Sequence, residues 1–448
     1  MPARLKLNLF SPLPPLRSEI ANHTAQILPP LGRLADVTVW TSQEGWGAVE
    51  TEGVRVCRYR PDAAPWGGLN EADATFYNIG NNTALHGDIF RVASALPGIA
   101  ILHDTVLQHF FAGLAVNHVW RDGYLSAMRR HHGPEGLEQG RRLLAGEVGA
   151  HDLAARFPLT LAAADRAVAV ACHTPDGARA LEISTRLPVH HLDLSLDPAA
   201  IGTTPAPEAG GDGPRRVVVF GHLGFNRRLP SLLRALAELP EKGALRVDVY
   251  GQIEEEQEAR DLASSLGIGH LVELHGFVPQ AELDRGIARA HLTANLRFPS
   301  MGEASASQLR TWAHAVPSLV TRTGWYATLP PDTVFFVDPD DEIGGIKRHL
   351  VRLLASPETF EAAGRRGRAL VEARHSPSRY AEALVEIARQ APAQHGRRAA
   401  LDLARASSRA LAAMAGMEGL QRAAPGVAEA IAQLTRTAPG TGRPSPEG

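Results

Sequence analysis

The sequence predicts an α/β protein with two doubly wound parallel sheets that face each other across a cleft. Short apolar runs alternate with helical runs along most of the chain, as expected for parallel strands joined by helices. The alternation stops at residues 196–214, a linker rich in Pro, Gly and Ala, and then begins again. A chain of 448 residues is also too long for one ordinary core, so two domains are expected.

The first predicted domain covers residues 1–195. Its apolar runs are nearly continuous, which indicates strands buried on both faces. They lie at 5–10, 36–41, 54–59, 74–79, 100–104 and 167–172. A helix is predicted at 18–31 from the spacing of its apolar residues, and a helical insert is predicted at about 105–164, broken by Pro134 and several glycines.

The second predicted domain covers residues 215–375 and repeats the same alternation. Its strands are predicted at 217–221, 245–251, 271–277, 291–298, 318–321 and 334–338. Its helices are predicted at 229–239, 254–266, 280–289, 305–315, 341–355 and 358–373. An amphipathic helix follows at 376–391, and residues 392–448 are expected to form a helical extension and a disordered tail.

Composition and charge exclude several classes of protein. The formal charge is −2, so no overall field attracts nucleic acid, and a phosphate site must be local. The two cysteines, Cys57 and Cys172, are too few for a disulfide framework and fit a reducing compartment. Three prolines interrupt the apolar run at the N-terminus, and no run approaches the ~20 apolar residues of a membrane span. We therefore expect a soluble cytoplasmic protein.

The strongest local signal lies at residues 298–320, where a strand leads through Gly302 into a helix. Ser305 and Ser307 are suitable caps, and the free N–H groups of a first helical turn form an anion site. Glu303, just before this helix, can accept hydrogen bonds from sugar hydroxyls. An equally weighted alternative is that Glu303 is simply a favourable acid at a helix start.

Two further strand ends carry polar residues. Gly221 ends a strand, and the following loop carries Arg227 and Arg228, whose forked donors suit a diphosphate. Taken alone, this pair is more often a solvated surface pair. A second strand delivers His103 and Asp104, a combination suited to a general base or a charge-stabilising donor. The commoner fate of such a histidine is purely structural.

The first loop carries an acid, and the usual nucleotide-binding motifs are missing. The first strand leads into a Pro-rich loop, and the next helix begins near Ser18 and Glu19, whose charge would repel an anion. The Asp-x-Asp spacing at Asp338 and Asp340 is better explained by a turn than by a metal site. Neither a Gly-x-Gly-x-x-Gly turn after the first strand nor a phosphate loop is present, so NAD and ATP lack their usual support.

At these motifs the sequence resembles the GT-B glycosyltransferases, and most of all glycosyltransferase family 4 of the bacterial surface-polysaccharide type. The resemblance extends over roughly residues 5–391. It is carried jointly by the segments 11–28, 77–90, 97–107, 169–174, 220–228 and 295–306.

The resemblance implies a metal-independent enzyme without a cofactor, whose second domain binds a nucleoside diphosphate sugar and whose first faces the acceptor. It implies that Arg227 and Arg228 clamp the diphosphate beside Gly221 and that Glu303 holds the donor sugar. His103 corresponds to the active-site histidine of the family. The backbone at Ala304, Ser305 and Ala306 would approach the sugar and phosphate, and the helix 376–391 would cross back onto the first domain.

The sequence also departs from this family pattern. The second acid of its paired-glutamate motif falls at Thr311, and Ser18 and Glu19 stand where many members have two glycines. Asp104, Arg297, Thr311 and Ser18 are therefore further candidates for the site. Arg297 is typical of this branch of the family.

The main functional hypothesis is a retaining glycosyltransferase that moves a sugar from a nucleoside diphosphate sugar to a glycan, lipid-linked or small-molecule hydroxyl. This activity would serve polysaccharide or glycoconjugate biosynthesis and needs no nucleic acid. One alternative is a GT-B nucleotide-sugar 2-epimerase. The other is a non-catalytic nucleotide-sugar binder, which Glu19 and Thr311 motivate. Peripheral membrane contact through Arg129, Arg130, Arg141 and Arg142 is a weaker hypothesis than a solvated basic face.

Overall fold

The computed structural model describes residues 4–64, 66–117, 119–201 and 213–391, with a few isolated positions beyond. The central part of the predicted linker, residues 202–212, lies outside the described residues. The predicted extension and tail at 392–448 also lie outside them, apart from those isolated positions.

The first sheet contains seven parallel strands in the order β3-β2-β1-β4-β5-β6-β7. These are β1 (Lys6–Phe10), β2 (Asp36–Thr41), β3 (Val54–Arg58), β4 (Ala74–Ile79), β5 (Ile99–Leu102), β6 (Ala169–Cys172) and β7 (Val189–His191). Strands β4, β5 and β6 are buried along their whole length, which explains their continuous apolar sequence. The order of the strands reverses between β1 and β4, and ligands of such sheets bind at the carboxyl ends beside this point.

Eight helices accompany this sheet among the described residues. They are α1 (Glu19–Leu34), α2 (Trp66–Leu69), α3 (Thr83–Ala95), α4 (Gln108–Val116), α5 (Arg121–Leu144), α6 (Ala150–Ala154), α7 (Thr160–Ala164) and α8 (Pro175–Ser184). Four of them, α4 to α7, lie in the segment 105–164, where the sequence predicts helices. In α5 the chain kinks at Gly133, which has a φ of 67° directly before Pro134.

The second sheet contains six parallel strands in the order β10-β9-β8-β11-β12-β13. These are β8 (Arg215–Phe220), β9 (Leu245–Tyr250), β10 (Val272–Gly276), β11 (Leu292–Asn295), β12 (Ser318–Thr321) and β13 (Phe335–Val337). Its helices are α9 (Leu229–Ala237), α10 (Glu256–Ser265), α11 (Gln280–Ala288), α12 (Ala306–Ala313), α13 (Glu342–Ala355) and α14 (Pro357–Arg374). The order reverses between β8 and β11, so this sheet repeats the arrangement of the first. The predicted α/β class with two doubly wound sheets is confirmed.

The last described helix, α15, spans residues 377–391 and lies on the first sheet. Tyr380, Leu384 and Ala388 are buried in one core with Leu9 of β1 and Ile27 of α1. The chain therefore returns to its first domain after completing the second. No described helix has both the length and the apolar character needed to cross a bilayer.

Candidate active site between the two sheets

The loops that follow β5 and β11 meet directly across the two domains. The carbonyl oxygen of Met301 accepts hydrogen bonds from the backbone N–H groups of Thr105, at 3.2 Å, and Val106, at 2.9 Å. Gly302 has a φ of 75°, and a Cβ atom there would lie only 1.8 Å from Oγ1 of Thr105. A residue with a side chain would therefore push the two loops apart.

Two adjoining cavities open beside this contact. The large cavity, of about 520 Å³, extends between the first loop and the second domain. The small cavity, of about 210 Å³, lies deeper, between β5, β6 and the start of α12. Glu19, Asn22, Arg297, Ala306 and Ser307 line both of them. A third cavity, of about 540 Å³, opens near the amino ends of β1 and β2, at the opposite edge of the sheet from the carboxyl ends of the strands.

Arg227 lies at the wall of the large cavity and is only 5% exposed. Its Nη2 atom donates to the carbonyl oxygen of Phe220 at 2.6 Å, which fixes the side chain at the end of β8. Its Nη1 atom is buried without a hydrogen-bond partner. Burial, followed by the nearby charge of Arg297, lowers the pKa of Arg227 to about 10, so the guanidinium remains charged at neutral pH.

Arg228 does not join Arg227 in the large cavity. Its Nε and Nη2 atoms donate to the carboxylate of Glu342 at 3.0 and 2.7 Å, and Glu342 is only 7% exposed. The residue adopts a φ of 54°, and it is absent from the lining of the large cavity, which Arg227 joins. The structure therefore separates the two arginines that the sequence analysis expects to form one clamp.

Arg297 and Glu303 form an ion pair at the mouth of the small cavity. Glu303 also accepts a hydrogen bond from the backbone N–H of Met301 at 2.7 Å. Burial by itself would lower the pKa of the Arg297 guanidinium. The negative charge of Glu303 outweighs this effect and raises that pKa. The Nε atom of Arg297 is buried without a hydrogen-bond partner. Arg297 thus brings a second guanidinium to the large cavity, with its charge balanced by Glu303.

Asp104 brings a second carboxyl group to Glu303 from the other domain. It accepts a hydrogen bond from the backbone N–H of Asn81 at 2.8 Å and lines the small cavity. Burial and then the charge of Glu303 raise the pKa of Asp104 to about 7. The small cavity therefore offers a carboxyl group that changes charge near neutral pH.

His103 also lines the small cavity, beside two histidines that sequence reasoning did not single out. Its ring centroid lies 4.6 Å from that of His173 and 6.1 Å from that of His23. Burial lowers the pKa of all three imidazoles, so each is neutral at physiological pH. His173 directly follows β6, just as His103 directly follows β5. This matching position at a strand end could have identified His173 from the sequence. The three rings present neutral hydrogen-bonding groups.

The start of α12 separates the two cavities. Ser305 caps this helix by accepting a hydrogen bond from the backbone N–H of Gln308 at 3.1 Å, and it also receives the hydroxyl hydrogen of Tyr326 at 2.8 Å. The hydroxyl oxygen of Ser305 is therefore already hydrogen-bonded within the protein. Ala304, Ser305 and Ala306 line the small cavity, so that their backbone borders the space a ligand would fill.

The remaining predicted residues are placed differently. Gly221 and Ser18 line the large cavity, and Gly221 has a φ of 113°, which favours glycine. Thr311 is fully buried and lines neither cavity. Its neighbour Arg310 lines the large cavity instead, where Nε donates to Asp284 at 2.9 Å. Arg310 lies three residues after Ser307 and so on the same helix face, a spacing that could have identified it.

One group of potential metal ligands occurs among the described residues. The ligand atoms of Asp248, Glu273 and His275 lie within 4.8 Å of one another. Arg216 already donates to Asp248 at 2.8 Å, and a cation next to a carboxylate weakens metal binding. The three residues line neither the large nor the small cavity.

Comparison with known proteins adds to this geometry. Residues 204–369 match the family model described as "Glycosyl transferases group 1". No curated protein sequence matches the chain. Among solved structures, HepE of Anabaena, crystallised with UDP-glucose, is 15% identical and has a TM-score of 0.58, covering 86% of this chain and 99% of that one.

Two other structures are also similar. The sucrose-phosphate synthase of Thermosynechococcus elongatus is 15% identical, with a TM-score of 0.61 and coverage of 87% of this chain and 100% of that one. WaaG, a glycosyltransferase of lipopolysaccharide biosynthesis, is 14% identical, with a TM-score of 0.51 and coverage of 84% and 98%. At such identities the likeness concerns the fold. The chain therefore has the GT-B fold, and its second domain matches the model of the group 1 glycosyl transferases.

Proposed function

We propose that this protein is a retaining glycosyltransferase that uses a nucleoside diphosphate sugar and no metal. One observation carries the proposal. Four guanidinium groups line the large cavity, and two of them have a buried N–H group that makes no hydrogen bond within the protein. These atoms are Nη1 of Arg227 and Nε of Arg297, whereas Nη2 of Arg310 lies 2.8 Å from the carboxylate of Asp284. Buried unpaired donors are costly, and an anion that accepts from them would remove that cost.

The arrangement suits a diphosphate leaving group. Arg227 supplies positive charge at the large cavity, and Arg297, although paired with Glu303, and the first turn of α12 supply N–H donors where the two cavities adjoin. Preorganised donors of this kind stabilise charge that develops in the transition state. In the proposed step the bond from the anomeric carbon to the phosphate oxygen breaks, and the acceptor oxygen bonds to the same face of that carbon. The acceptor proton passes to the departing phosphate.

The small cavity is the proposed site of the transferred sugar. Glu303 and the neutral ring of His103 would hydrogen-bond its hydroxyls, and Asp104 lies close enough to Glu303 to feel its charge. A glycan, a lipid-linked saccharide or a small molecule would supply the accepting hydroxyl. Synthesis of a polysaccharide or glycoconjugate in the cytoplasm is the proposed setting.

A basic membrane-binding face on α5 has less support. Arg130 lies 2.5 Å from Asp165, Arg142 lies 3.2 Å from Glu147, and Arg141 lies 3.8 Å from Glu138. Paired charges of this kind attract anionic lipid weakly. Co-sedimentation with anionic vesicles, unchanged by charge reversal at these arginines, would end this part of the proposal.

The test is turnover with UDP-, GDP-, ADP- and dTDP-sugars in the presence and absence of saccharide acceptors. Nucleoside diphosphate release with a glycosylated product of retained anomeric configuration is expected, and it should persist in the presence of a chelator. An isomerised nucleotide sugar formed without acceptor would identify a 2-epimerase. Donor binding without turnover would identify a binding protein.

Substitutions test whether the proposed residues form the donor-binding site. Arg227→Ala removes charge-assisted hydrogen bonds, each worth about 1.5–3 kcal/mol, so nucleotide affinity should fall roughly 10- to 150-fold. Arg348→Ala is the matched control, because Arg348 pairs with Asp341 on the exposed side of α13. If Arg227→Ala and Glu303→Ala both left transfer intact, the site would lie elsewhere.

A further inference from the structure

His173 is a buried histidine in the wall of the small cavity. It directly follows β6, and the residue is only 2% exposed. Its Nδ1 atom lies 3.0 Å from the carbonyl oxygen of Leu192. A carbonyl oxygen accepts but does not donate, so Nδ1 carries the hydrogen of this bond. The backbone that follows β7 therefore holds the ring in a fixed orientation.

The other ring nitrogen of His173 has no partner. Its Nε2 atom is buried and makes no hydrogen bond within the described part of the chain. Burial lowers the pKa of the imidazole to about 4, so the ring is neutral at physiological pH. In a neutral ring with its hydrogen on Nδ1, the Nε2 atom is an acceptor. A buried acceptor without a donor is costly, and a donor group on a ligand would remove that cost.

The hydroxyl group of Tyr380 does not supply this donor. The ring centroids of Tyr380 and His173 lie 5.8 Å apart, yet the Tyr380 hydroxyl is itself buried without a hydrogen-bond partner among the described residues. Tyr380 lines neither the large nor the small cavity. It therefore offers a matched position for substitution, buried beside His173 but outside the cavity wall.

The part of the wall next to His173 also accepts hydrogen bonds. The ring centroid of His103 lies 4.6 Å away, and its Nε2 atom lies 2.8 Å from the amide oxygen of Asn78, which leaves Nδ1 as an acceptor. Arg297 is the one guanidinium among the described residues that line this cavity, and Glu303 already pairs with it. Hydroxyl groups, which donate, fit such a wall better than a carboxylate, which only accepts.

We propose that Nε2 of His173 accepts a hydrogen bond from a hydroxyl group of the transferred sugar, and that the small cavity takes a neutral sugar in preference to a sugar acid. The inference rests on the proposed function and deepens it, because it assigns a further sugar-binding residue and a class of sugar.

Two substitutions separate the two ring nitrogens. The amide nitrogen of asparagine is as far from Cβ along the side chain as Nδ1 of histidine, and the amide oxygen of glutamine is as far as Nε2. His173→Asn should therefore keep the bond to Leu192 and lose the acceptor, whereas His173→Gln should keep an acceptor. We expect His173→Asn to lower the affinity for the nucleotide sugar about 2- to 13-fold, as for one hydrogen bond between uncharged groups, with the affinity for the nucleoside diphosphate unchanged. His173→Gln should recover part of the loss.

Calorimetry measures these affinities. The probes are the UDP, GDP, ADP and dTDP forms of glucose, galactose and mannose, the four free nucleoside diphosphates, and the monodeoxy forms and the uronic acid of the tightest binder. One monodeoxy form should bind the wild type about 2- to 13-fold more weakly than the parent sugar and should show no further loss in His173→Asn, which identifies the hydroxyl group. The uronic acid should bind the wild type at least about fivefold more weakly, because its buried carboxylate would lack a donor.

Tyr380→Phe is the matched control and should bind every probe as the wild type does. Thermal unfolding checks that each variant is folded. If His173→Asn does not fold, His173→Phe, which keeps an aromatic ring and lacks both nitrogens, replaces it in the same comparisons.

The outcomes distinguish this inference from the proposed function. Equal losses in His173→Asn for the nucleotide sugar and for the nucleoside diphosphate would assign His173 a purely structural role and overturn the inference alone. Equal losses for the parent sugar and for every monodeoxy form would also overturn it, as would tighter binding of the uronic acid or the same losses in Tyr380→Phe. If the folded wild type bound none of the nucleotide sugars or nucleoside diphosphates, the proposed function and this inference would both fail.

Discussion

The Nε2 atom of His103 lies 2.8 Å from Oδ1 of Asn78. A carboxamide oxygen accepts but does not donate, so Nε2 carries the hydrogen and Nδ1 of the neutral ring is left as an acceptor. The ring is buried among other histidines, and burial lowers its pKa well below the usual value. Asn78, which the sequence analysis does not single out, is therefore expected to position His103.

A double-mutant cycle checks this relationship. His103→Ala should lower kcat by roughly 10²- to 10⁴-fold if the ring takes part in the reaction. Asn78→Ala should lower kcat less, because it only releases the ring. The double variant should be no slower than His103→Ala, because the two residues act as one unit. Additive losses would show that Asn78 does not act through His103.

The pairing of Arg228 with Glu342 predicts a loss of stability. Arg228→Ala leaves the carboxylate of Glu342, which is 7% exposed, without its partner. Leaving a buried charged group unpaired costs about 1–3 kcal/mol or more, so the free energy of unfolding should fall by about that amount. Urea denaturation measures this loss. A larger effect on nucleotide affinity than on stability would show instead that Arg228 reaches the ligand.

The close approach of Gly302 to Thr105 should make the contact between the domains sensitive to substitution. Gly302→Ala places a Cβ atom 1.8 Å from Oγ1 of Thr105 at a φ of 75°. A non-glycine residue held in this conformation costs about 1–3 kcal/mol, and the clash adds to this cost. We expect lower stability in urea and lower turnover. Thr105→Ala in the same chain removes the nearest atom and should restore part of the turnover, while the backbone strain remains.

The raised pKa of Asp104 should make the stability of the folded protein depend on pH. Its pKa in the folded protein, about 7, lies above the value of about 3.9 expected in the unfolded chain. The folded state therefore binds more protons between these values, and the free energy of unfolding falls as pH rises towards 7. The contribution is at most about 1.4 kcal/mol per pH unit.

Asp104→Asn cannot titrate and should flatten this part of the pH profile. Denaturation in urea at a series of pH values from 5 to 8 measures the difference between the two proteins, while Asp62→Asn, at an exposed aspartate, serves as the control. An unchanged slope in Asp104→Asn would assign the pH dependence to other groups.

Much of the fold follows from local pattern. The alternation of apolar and helical runs predicts most of the parallel strands, because strands buried on both faces need apolar residues at every position. Strand β7 is missed because Val189–His191 is only three residues long and not fully buried. The end of β5 lies at Leu102 rather than Asp104, so His103 and Asp104 belong to the loop.

The composition of the site is less predictable than the fold. Sequence order indicates which loops gather at the carboxyl ends of the strands, and this places Glu303, Arg227 and His103 beside the cavities. It does not indicate side-chain direction, which separates Arg228 from Arg227 through the partner Glu342, 114 residues away. For the same reason Arg310 lines the large cavity while its neighbour Thr311 is buried in the core.

The contact between Met301 and the loop at Thr105 and Val106 uses backbone atoms on both sides. Its hydrogen bonds therefore do not depend on which side chains the two loops carry. Chimaeric proteins could exploit this, since a second domain with another nucleotide preference could dock onto the same first domain without redesign of the loop after β5. The exchanged loop would need a glycine at the position of Gly302, where a Cβ atom would clash with Oγ1 of Thr105.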